Sequence, residues 1–159
     1  IINSERAMAN GFRRSKFETL TEEDKEFILN EAKSIGIDPN KIKFRDGKAT
    51  CYIDDADVIY VSKSVFPSND GSTHPTDVLT VRAVLAHEYY GHRANRGTEL
   101  LPGSWNDEFR ASYMAARDCP YLTLEERCQL LDDAMQRARD TKVPFRLNKF
   151  MKETLYGAE

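Results

Sequence analysis

"VLAHEYYGHRAN", residues 84 to 95, carries two histidines and a glutamate in the order His87, Glu88 and His92. The spacing is H-E-x-x-x-H, one residue longer than the zinc-binding helix motif H-E-x-x-H. Around an α-helix, residues four apart lie about 40° from each other, whereas residues five apart lie about 140° from each other. In a regular α-helix, His87 and His92 would therefore be too far apart to share a metal ion.

A single π-turn removes this obstacle. Such a turn brings residues i and i+5 into register, and it occurs disproportionately at functional sites. Gly91 directly precedes His92, and a glycine frees the backbone to bulge or to leave the helix. The stretch therefore predicts an i to i+5 turn, or a break in the helix, near Gly91.

A third metal ligand is offered by the later segment "NDEFRASYMAA". A catalytic zinc usually takes three protein ligands, and Glu108 is the candidate here. Ala111 and Ala115 lie on the same face, where small residues let two helices approach closely. Simpler explanations exist, since a His-Glu pair occurs by chance on helices and an acid at a helix start is favoured by the helix dipole. Their combination beside one buried helix favours a metal site.

The rest of the chain predicts an α+β protein. Apolar spacing and turn residues predict a helix over 21–36, strands within 41–67, a buried central helix over 77–93, and helices that follow Ser104, Thr123 and Leu147. Thr21 with Asp24, and Thr123 with Glu126, match the capping box. Either Thr73 or Thr76 can cap the central helix. The strands are separated by the turns "RDG" and "DDAD", which indicate a short antiparallel meander. Helix, strands, buried helix and further helices, in that order, are an α+β pattern.

Bulk properties fit one globular domain. The chain has 159 residues, 40% of them apolar and 31% charged, with a formal net charge of −3. This charge indicates no nucleic-acid or anionic-membrane partner, and no apolar run reaches the roughly 18 residues of a membrane span. We expect a polar lead-in arm over 1–20 and a single domain over 21–159. The opening "IINSERAMANGFRRS" has neither an initiator Met nor a signal peptide, which indicates a fragment of a longer protein or a processed chain.

The three cysteines are Cys51, Cys119 and Cys128, an odd number without C-x-x-C spacing. This pattern argues against a disulfide framework and favours a reducing compartment, hence a cytoplasmic location. We expect the three thiols to behave as small apolar side chains.

Over residues 42–118 the sequence resembles a small zincin metallopeptidase of the gluzincin type. The matching segments are "ATCYIDDADVIYVSKSVFP" as an edge strand beside the substrate cleft, "VLAHEYYGHR" as the active-site helix and "NDEFRAS" as the glutamate helix. One bacterial peptidase family carries H-E-x-x-x-H. The resemblance implies a zincin-like fold, with a short, mostly antiparallel sheet packed on the active-site helix. It also implies Zn²⁺ held by His87, His92 and Glu108, with Glu88 as general base.

The resemblance has further implications for the site. The backbone around 58–62 would bind an extended peptide or protein substrate by strand addition. Gluzincins often carry an acid four residues after the glutamate ligand, where it orients a histidine; Ser112 holds that position and can accept a hydrogen bond. Glu99 and Asp107 are alternative third ligands. Candidate donors to the oxyanion are His74, Tyr90, Arg110 and Tyr113.

These features indicate zinc-dependent peptide-bond hydrolysis. One alternative is a zincin-like domain that serves as a non-catalytic binding or structural module in a larger bacterial or phage protein, such as a toxin-like effector. Another is a metallohydrolase of non-peptide amide bonds. A filled or blocked fourth metal position would distinguish the module from the peptidase.

Overall fold

The computed structural model describes residues 13–98 and 100–157, and its architecture is α+β as the sequence predicts. The helices are α1 (Glu22–Ser34), α2 (Val81–Ala86), α3 (Trp105–Asp118), α4 (Leu124–Asp140) and α5 (Lys149–Tyr156). The strands are β1 (Ile42–Phe44), β2 (Cys51–Ile53) and β3 (Val58–Val61). A π-helix (His87–His92) and a 3₁₀ turn (Arg93–Asn95) extend α2, and 3₁₀ turns also cover Pro39–Lys41 and Lys63–Val65. In the described part of the chain, no helix is both long and apolar enough to cross a membrane.

The two capping boxes read from the sequence are confirmed. At the start of α1, the Thr21 hydroxyl accepts the N–H of Asp24, whose carboxylate accepts the N–H of Thr21. Thr123 and Glu126 make the same reciprocal pair at the start of α4. Each box satisfies backbone N–H groups that a helix start would otherwise leave unpaired.

The predicted antiparallel pairing is confirmed for β2 and β3, but the meander order and the pairing of β1 are wrong. The sheet is mixed, with strand order β1-β3-β2: β3 pairs parallel with β1 and antiparallel with β2. β3 lies between β1 and β2. The segment 58–62, expected to be an edge strand, is therefore the central strand of the sheet. Ile59 and Val61 alternate inward and are fully buried, which fixes this register by burial of one face.

The central helix begins later than the sequence predicts. Its N-cap is Thr80, whose hydroxyl accepts the N–H of Ala83 at 3.1 Å, so neither Thr73 nor Thr76 caps it. Asp77 belongs to the preceding turn: its N–H donates to the His74 carbonyl, and its buried carboxylate accepts the Ser72 hydroxyl at 2.9 Å. These bonds keep residue 77 in the loop and delay the first helical turn.

The core surrounds α2. Val81, Ala83, Leu85 and Ala86 are at most 4% exposed, so this short helix is buried on most of its circumference. The other buried apolar side chains come from all parts of the fold, among them Ile28, Ile35, Ile59, Val61, Ala115, Leu130, Leu131 and Met151. The α2 backbone is therefore a fixed support for the residues that follow it.

The described end of the lead-in arm packs against the domain. The Arg13 guanidinium donates to the carbonyls of Ser64, Val65, Thr76 and Leu79. These bonds attach the arm to both ends of the segment 64–79. The part of the arm at 1–12 lies outside the described residues.

Glu126 joins the starts of two helices. Its carboxylate accepts from the Thr80 hydroxyl at 2.7 Å, from Arg82 and from the Thr123 N–H at 3.0 Å. Burial would raise its pKa, but the hydrogen bonds from Arg82 and Thr123 outweigh this and lower the pKa from 4.5 to about 2. Because the folded pKa is depressed, the stabilisation is complete above about pH 4.5 and is lost as the pH falls towards 2.

We expect Glu126→Gln to lower the free energy of unfolding at pH 7 by about 2 kcal/mol, since it removes charge-assisted hydrogen bonds to Arg82. The loss should shrink as the pH falls from 4.5 towards 2, measured by urea unfolding across this range. Glu125→Gln, an exposed neighbour, is the control and should change stability by less than about 0.5 kcal/mol. Equal effects of the two substitutions would contradict the assignment.

Candidate metal centre

The H-E-x-x-x-H stretch folds as the geometric prediction requires. Residues His87–His92 form a π-helix, and the Arg93 N–H that closes it donates to the Glu88 carbonyl, five residues back. The wider turn brings the two imidazoles to one side, with ring centroids 4.7 Å apart and planes at 81°. The extra residue in the motif is therefore absorbed by the backbone, and both histidines face α3.

Gly91 is required for a reason that differs from the predicted one. A Cβ atom at this position would lie 2.4 Å from the Ala111 carbonyl oxygen and 2.6 Å from its Cα. The π-helix and α3 thus touch backbone to backbone, and a side chain at residue 91 would separate them. The expectation that Ala111 and Ala115 permit close approach is confirmed, since both are almost completely buried.

Glu108 lies where the two histidines converge. One of its oxygens, Oε1, is 2.9 Å from His87 Nε2 and 3.2 Å from His92 Nε2. Burial would raise the pKa of Glu108, but hydrogen bonds from both histidines hold that pKa well below its usual range. Burial would lower the pKa of His92. The hydrogen bond to Glu108 and the negative charge of Glu88 outweigh this effect and raise the pKa to about 9.

The other side of His87 faces a second pair of polar groups. Its Nδ1 is 2.7 Å from the Ser112 hydroxyl, which in turn donates to Asp133 Oδ2 at 2.6 Å. Ser112 and Asp133 are fully buried. The prediction that Ser112 interacts with a histidine is thus confirmed, and an acid stands behind it on α4.

Glu88 lies between the histidines and the sheet. It is 7% exposed, and its Oε1 accepts the Tyr52 N–H of β2 at 2.9 Å. The ligating atoms of His87, Glu88 and His92 lie within 4.8 Å of one another. A cleft of about 960 Å³ opens over this cluster, and its wall includes the β2 segment from Thr50 to Asp54. The strand that borders the site is therefore β2, the edge of the sheet, instead of the expected 58–62 segment.

Asp107, an alternative third ligand, is the second carboxylate near His92. Its Oδ2 is 3.5 Å from His92 Nδ1 and accepts the Gly103 N–H at 3.0 Å. It thus faces the side of His92 that points away from Glu108. The other alternative, Glu99, lies outside the described residues. Ser104 is the N-cap residue of α3 but makes no side-chain cap bond; its hydroxyl oxygen lies 2.6 Å from both the Leu101 carbonyl oxygen and Asn106 Oδ1.

The four candidate oxyanion donors point elsewhere. Tyr90 donates to the Ile35 carbonyl at 2.7 Å, and Tyr113 accepts from Asn148 at 2.8 Å. Arg110 donates to Thr98, and the ring of His74 accepts the Thr76 N–H. None of the four lines the cleft that contains Glu88.

Two functional candidates on α4 were not identified from the sequence, namely Asp133 and Arg137. Arg137 lines the cleft, with Nε 3.4 Å from Asp133 Oδ2 and Nη1 3.8 Å from Glu108 Oε1. Burial would lower the Arg137 pKa and raise that of Asp133, but their opposite charges reverse both shifts. The sequence signal that could have identified Asp133 was an acid in the apolar stripe of α4, between Leu130 and Ala134.

We expect Gly91→Ala to destabilise the fold by about 3 kcal/mol, because the new methyl group would overlap the α3 backbone. Urea unfolding measures the loss. Ala94→Gly, a change of one methyl group at an exposed position nearby, should cost no more than about 1 kcal/mol. Adding Ala111→Gly should not rescue Gly91→Ala, since the overlap is with backbone atoms; full rescue or unchanged stability would rule out the contact.

The arrangement can hold a divalent metal. Two imidazole nitrogens and a carboxylate oxygen meet at the floor of an open cleft, with a further carboxylate, Glu88, beside them. Comparison of the chain with protein-family models, curated proteins and solved structures finds no match.

Proposed function

We propose that this chain is a zincin-like, zinc-dependent peptidase domain, with His87, His92 and Glu108 as metal ligands and Glu88 as general base. The observation that carries the proposal is the convergence of both Nε2 atoms on one Glu108 oxygen, at 2.9 and 3.2 Å. Tetrahedral zinc, with bonds of about 2.0 Å, requires ligand atoms about 3.3 Å apart. Both nitrogen–oxygen distances are close to that spacing.

The hydrogen bonds around His87 also suit a metal. Its Nδ1 faces a hydroxyl that already donates to Asp133, so Nδ1 is a hydrogen-bond donor and Nε2 is the ring nitrogen that a metal can bind. A lone pair and a carboxylate oxygen at 2.9 Å attract each other only with a proton or a cation between them. Zinc, when bound, would supply Lewis-acid chemistry that activates water and polarises a carbonyl group.

Glu88 is placed to move the proton. Its Oε1 is held by the Tyr52 N–H, and its Oε2 makes no hydrogen bond to any described residue. Oε2 would accept a proton from the attacking water and pass it to the leaving amine. Arg137, whose Nη1 is 3.8 Å from Glu108, would offer donors to the substrate carbonyl as negative charge develops on it.

A peptide substrate fits the wall of the cleft. β2 is an edge strand in the wall of the cleft, and an extended chain could pair with its edge groups other than the Tyr52 N–H, which Glu88 Oε1 already accepts. The volume of about 960 Å³ lies at the upper end of the range for ligand pockets. Phe17, which is 75% exposed, lies in the same wall and offers an apolar surface to a substrate side chain.

A non-catalytic metal-binding module is the second candidate, and Asp107 is the observation that favours it. His92, Asp107 and Glu108 have ligating atoms within 4.8 Å of one another. If Asp107 rotated inward, zinc would have four protein ligands, which is the closed geometry of structural sites. A hydrolytic centre keeps one position open.

We expect the wild-type chain to bind one zinc ion, and His87→Ala and Glu108→Ala to lose it, because each removes one of three ligands. Elemental analysis after dialysis against a weak chelator measures the stoichiometry. His74→Ala removes the only histidine outside the motif and should bind zinc as the wild type does. A metal-free wild type would refute the metal site.

We expect Glu88→Gln to retain zinc and to lose peptide hydrolysis by at least about 100-fold, the contribution typical of a general base. Cleavage of a mixed peptide library, followed by mass spectrometry, provides the assay. Glu125→Gln is the matched control and should remain active. Zinc binding without cleavage in the wild type, together with weaker zinc binding in Asp107→Asn, would favour the closed metal-binding module over the peptidase.

A further inference from the structure

Asp133 is a fully buried acid that is neither a metal ligand nor a proton carrier in the proposed reaction. It projects from α4 and accepts from three donors: the Thr76 hydroxyl at 2.5 Å, the Ser112 hydroxyl at 2.6 Å and Arg137 Nε at 3.4 Å. A carboxylate without exposure is costly unless it is fully hydrogen-bonded. One of the three donors, the Ser112 hydroxyl, also contacts His87 Nδ1 at 2.7 Å.

The Ser112 hydroxyl has a single proton, and this fixes which atoms donate in the two hydrogen bonds that join Asp133, Ser112 and His87. A carboxylate can only accept, so the single hydroxyl proton of Ser112 goes to Asp133. The Ser112 oxygen is left as an acceptor towards His87 Nδ1, 2.7 Å away. The Nδ1 atom must therefore be the donor, and a neutral His87 has its lone pair on Nε2.

We propose that Asp133 and Ser112 form a relay that selects the Nδ1-protonated form of His87 and so presents Nε2 to the metal. Both are positioning residues, and the inference rests on the metal site proposed above. Partners behind a ligating histidine fix its tautomer and ring orientation, and their loss lowers metal affinity about 10–100-fold.

The relay explains how a serine can replace an acid behind the ligand. The Ser112 hydroxyl carries no charge, but Ser112 lies at the interface of α3 and α4 and donates to a carboxylate from α4. If Asp133 were replaced by alanine, the Ser112 hydroxyl would lose this acceptor and would be free to donate to Nδ1. His87 would then carry its proton on Nε2, which excludes a metal there.

Zinc affinity of the full chain, measured by competition with a chromophoric chelator, tests the relay. We expect Ser112→Ala and Asp133→Ala to weaken zinc binding about 10–100-fold, because each removes one member of the relay. Thr76→Val is the matched control: it removes a hydrogen bond to the same Asp133 carboxylate but leaves the relay intact, so affinity should change less than about 3-fold. Thermal unfolding of each metal-free variant reports whether it is folded.

An exchange of the two residues separates positioning from packing. Ser112→Asp with Asp133→Ser keeps the same two side chains and places the carboxylate directly on His87. We expect this double variant to bind zinc within about 3-fold of the wild type. Affinity as weak as that of Ser112→Ala in a folded double variant, or wild-type affinity in Ser112→Ala, would overturn the relay.

The tautomer itself can be observed without activity. Nitrogen-15 NMR of the histidine rings in the wild type should show a protonated Nδ1 on His87, both metal-free and with zinc added. A bare Nδ1 would overturn the relay whether or not the chain is a peptidase. Failure of the proposed function has a different result: a wild type that binds no zinc or cleaves no peptide, with the His87 tautomer unchanged.

Discussion

The contact on which the site depends is the backbone approach between Gly91 and Ala111. A Cβ on residue 91 would lie 2.4 Å from the Ala111 carbonyl oxygen, so α3 can reach the π-helix only if residue 91 is glycine. That approach places Glu108, one turn earlier on α3, against both histidines. The wider π-turn and the missing side chain thus work together: the turn brings the imidazoles to one face, and the glycine lets the third group meet them.

A second constraint comes from two acids of α4, Glu126 and Asp133, which accept hydrogen bonds from the residues around the starts of α2 and α4 and from α3. Glu126 accepts from the caps that begin α2 and α4, and Asp133 accepts from Thr76 and Ser112. Buried carboxylates of this kind are stable only with several donors in place. The hydrogen bonds of Glu126 and Asp133 therefore fix where the helices begin and how His87 is oriented. The apolar core around α2 holds the backbone of the π-helix that follows it.

Local chemistry predicted several features well. The capping boxes at Thr21 and Thr123 are confirmed because each involves residues three apart, so no distant contact decides them. The demand for an i to i+5 turn follows from helix geometry alone. The errors lie where distant parts of the chain compete. Strand order depends on pairing between segments, and the start of α2 depends on a buried Asp77 that the surrounding loop holds in a turn.

The α+β order, the histidine motif and the need for an irregular helix turn could be predicted from the sequence, because helix periodicity and capping are properties of neighbouring residues. Three features became visible only in the folded chain: β2 is the strand beside Glu88, Gly91 is needed for close packing, and Asp133 lies behind Ser112 and His87. These depend on which segments meet across the core. Hydrogen bonds between side chains of α3 and α4 join residues far apart in the sequence, so no regular spacing of residues predicts them.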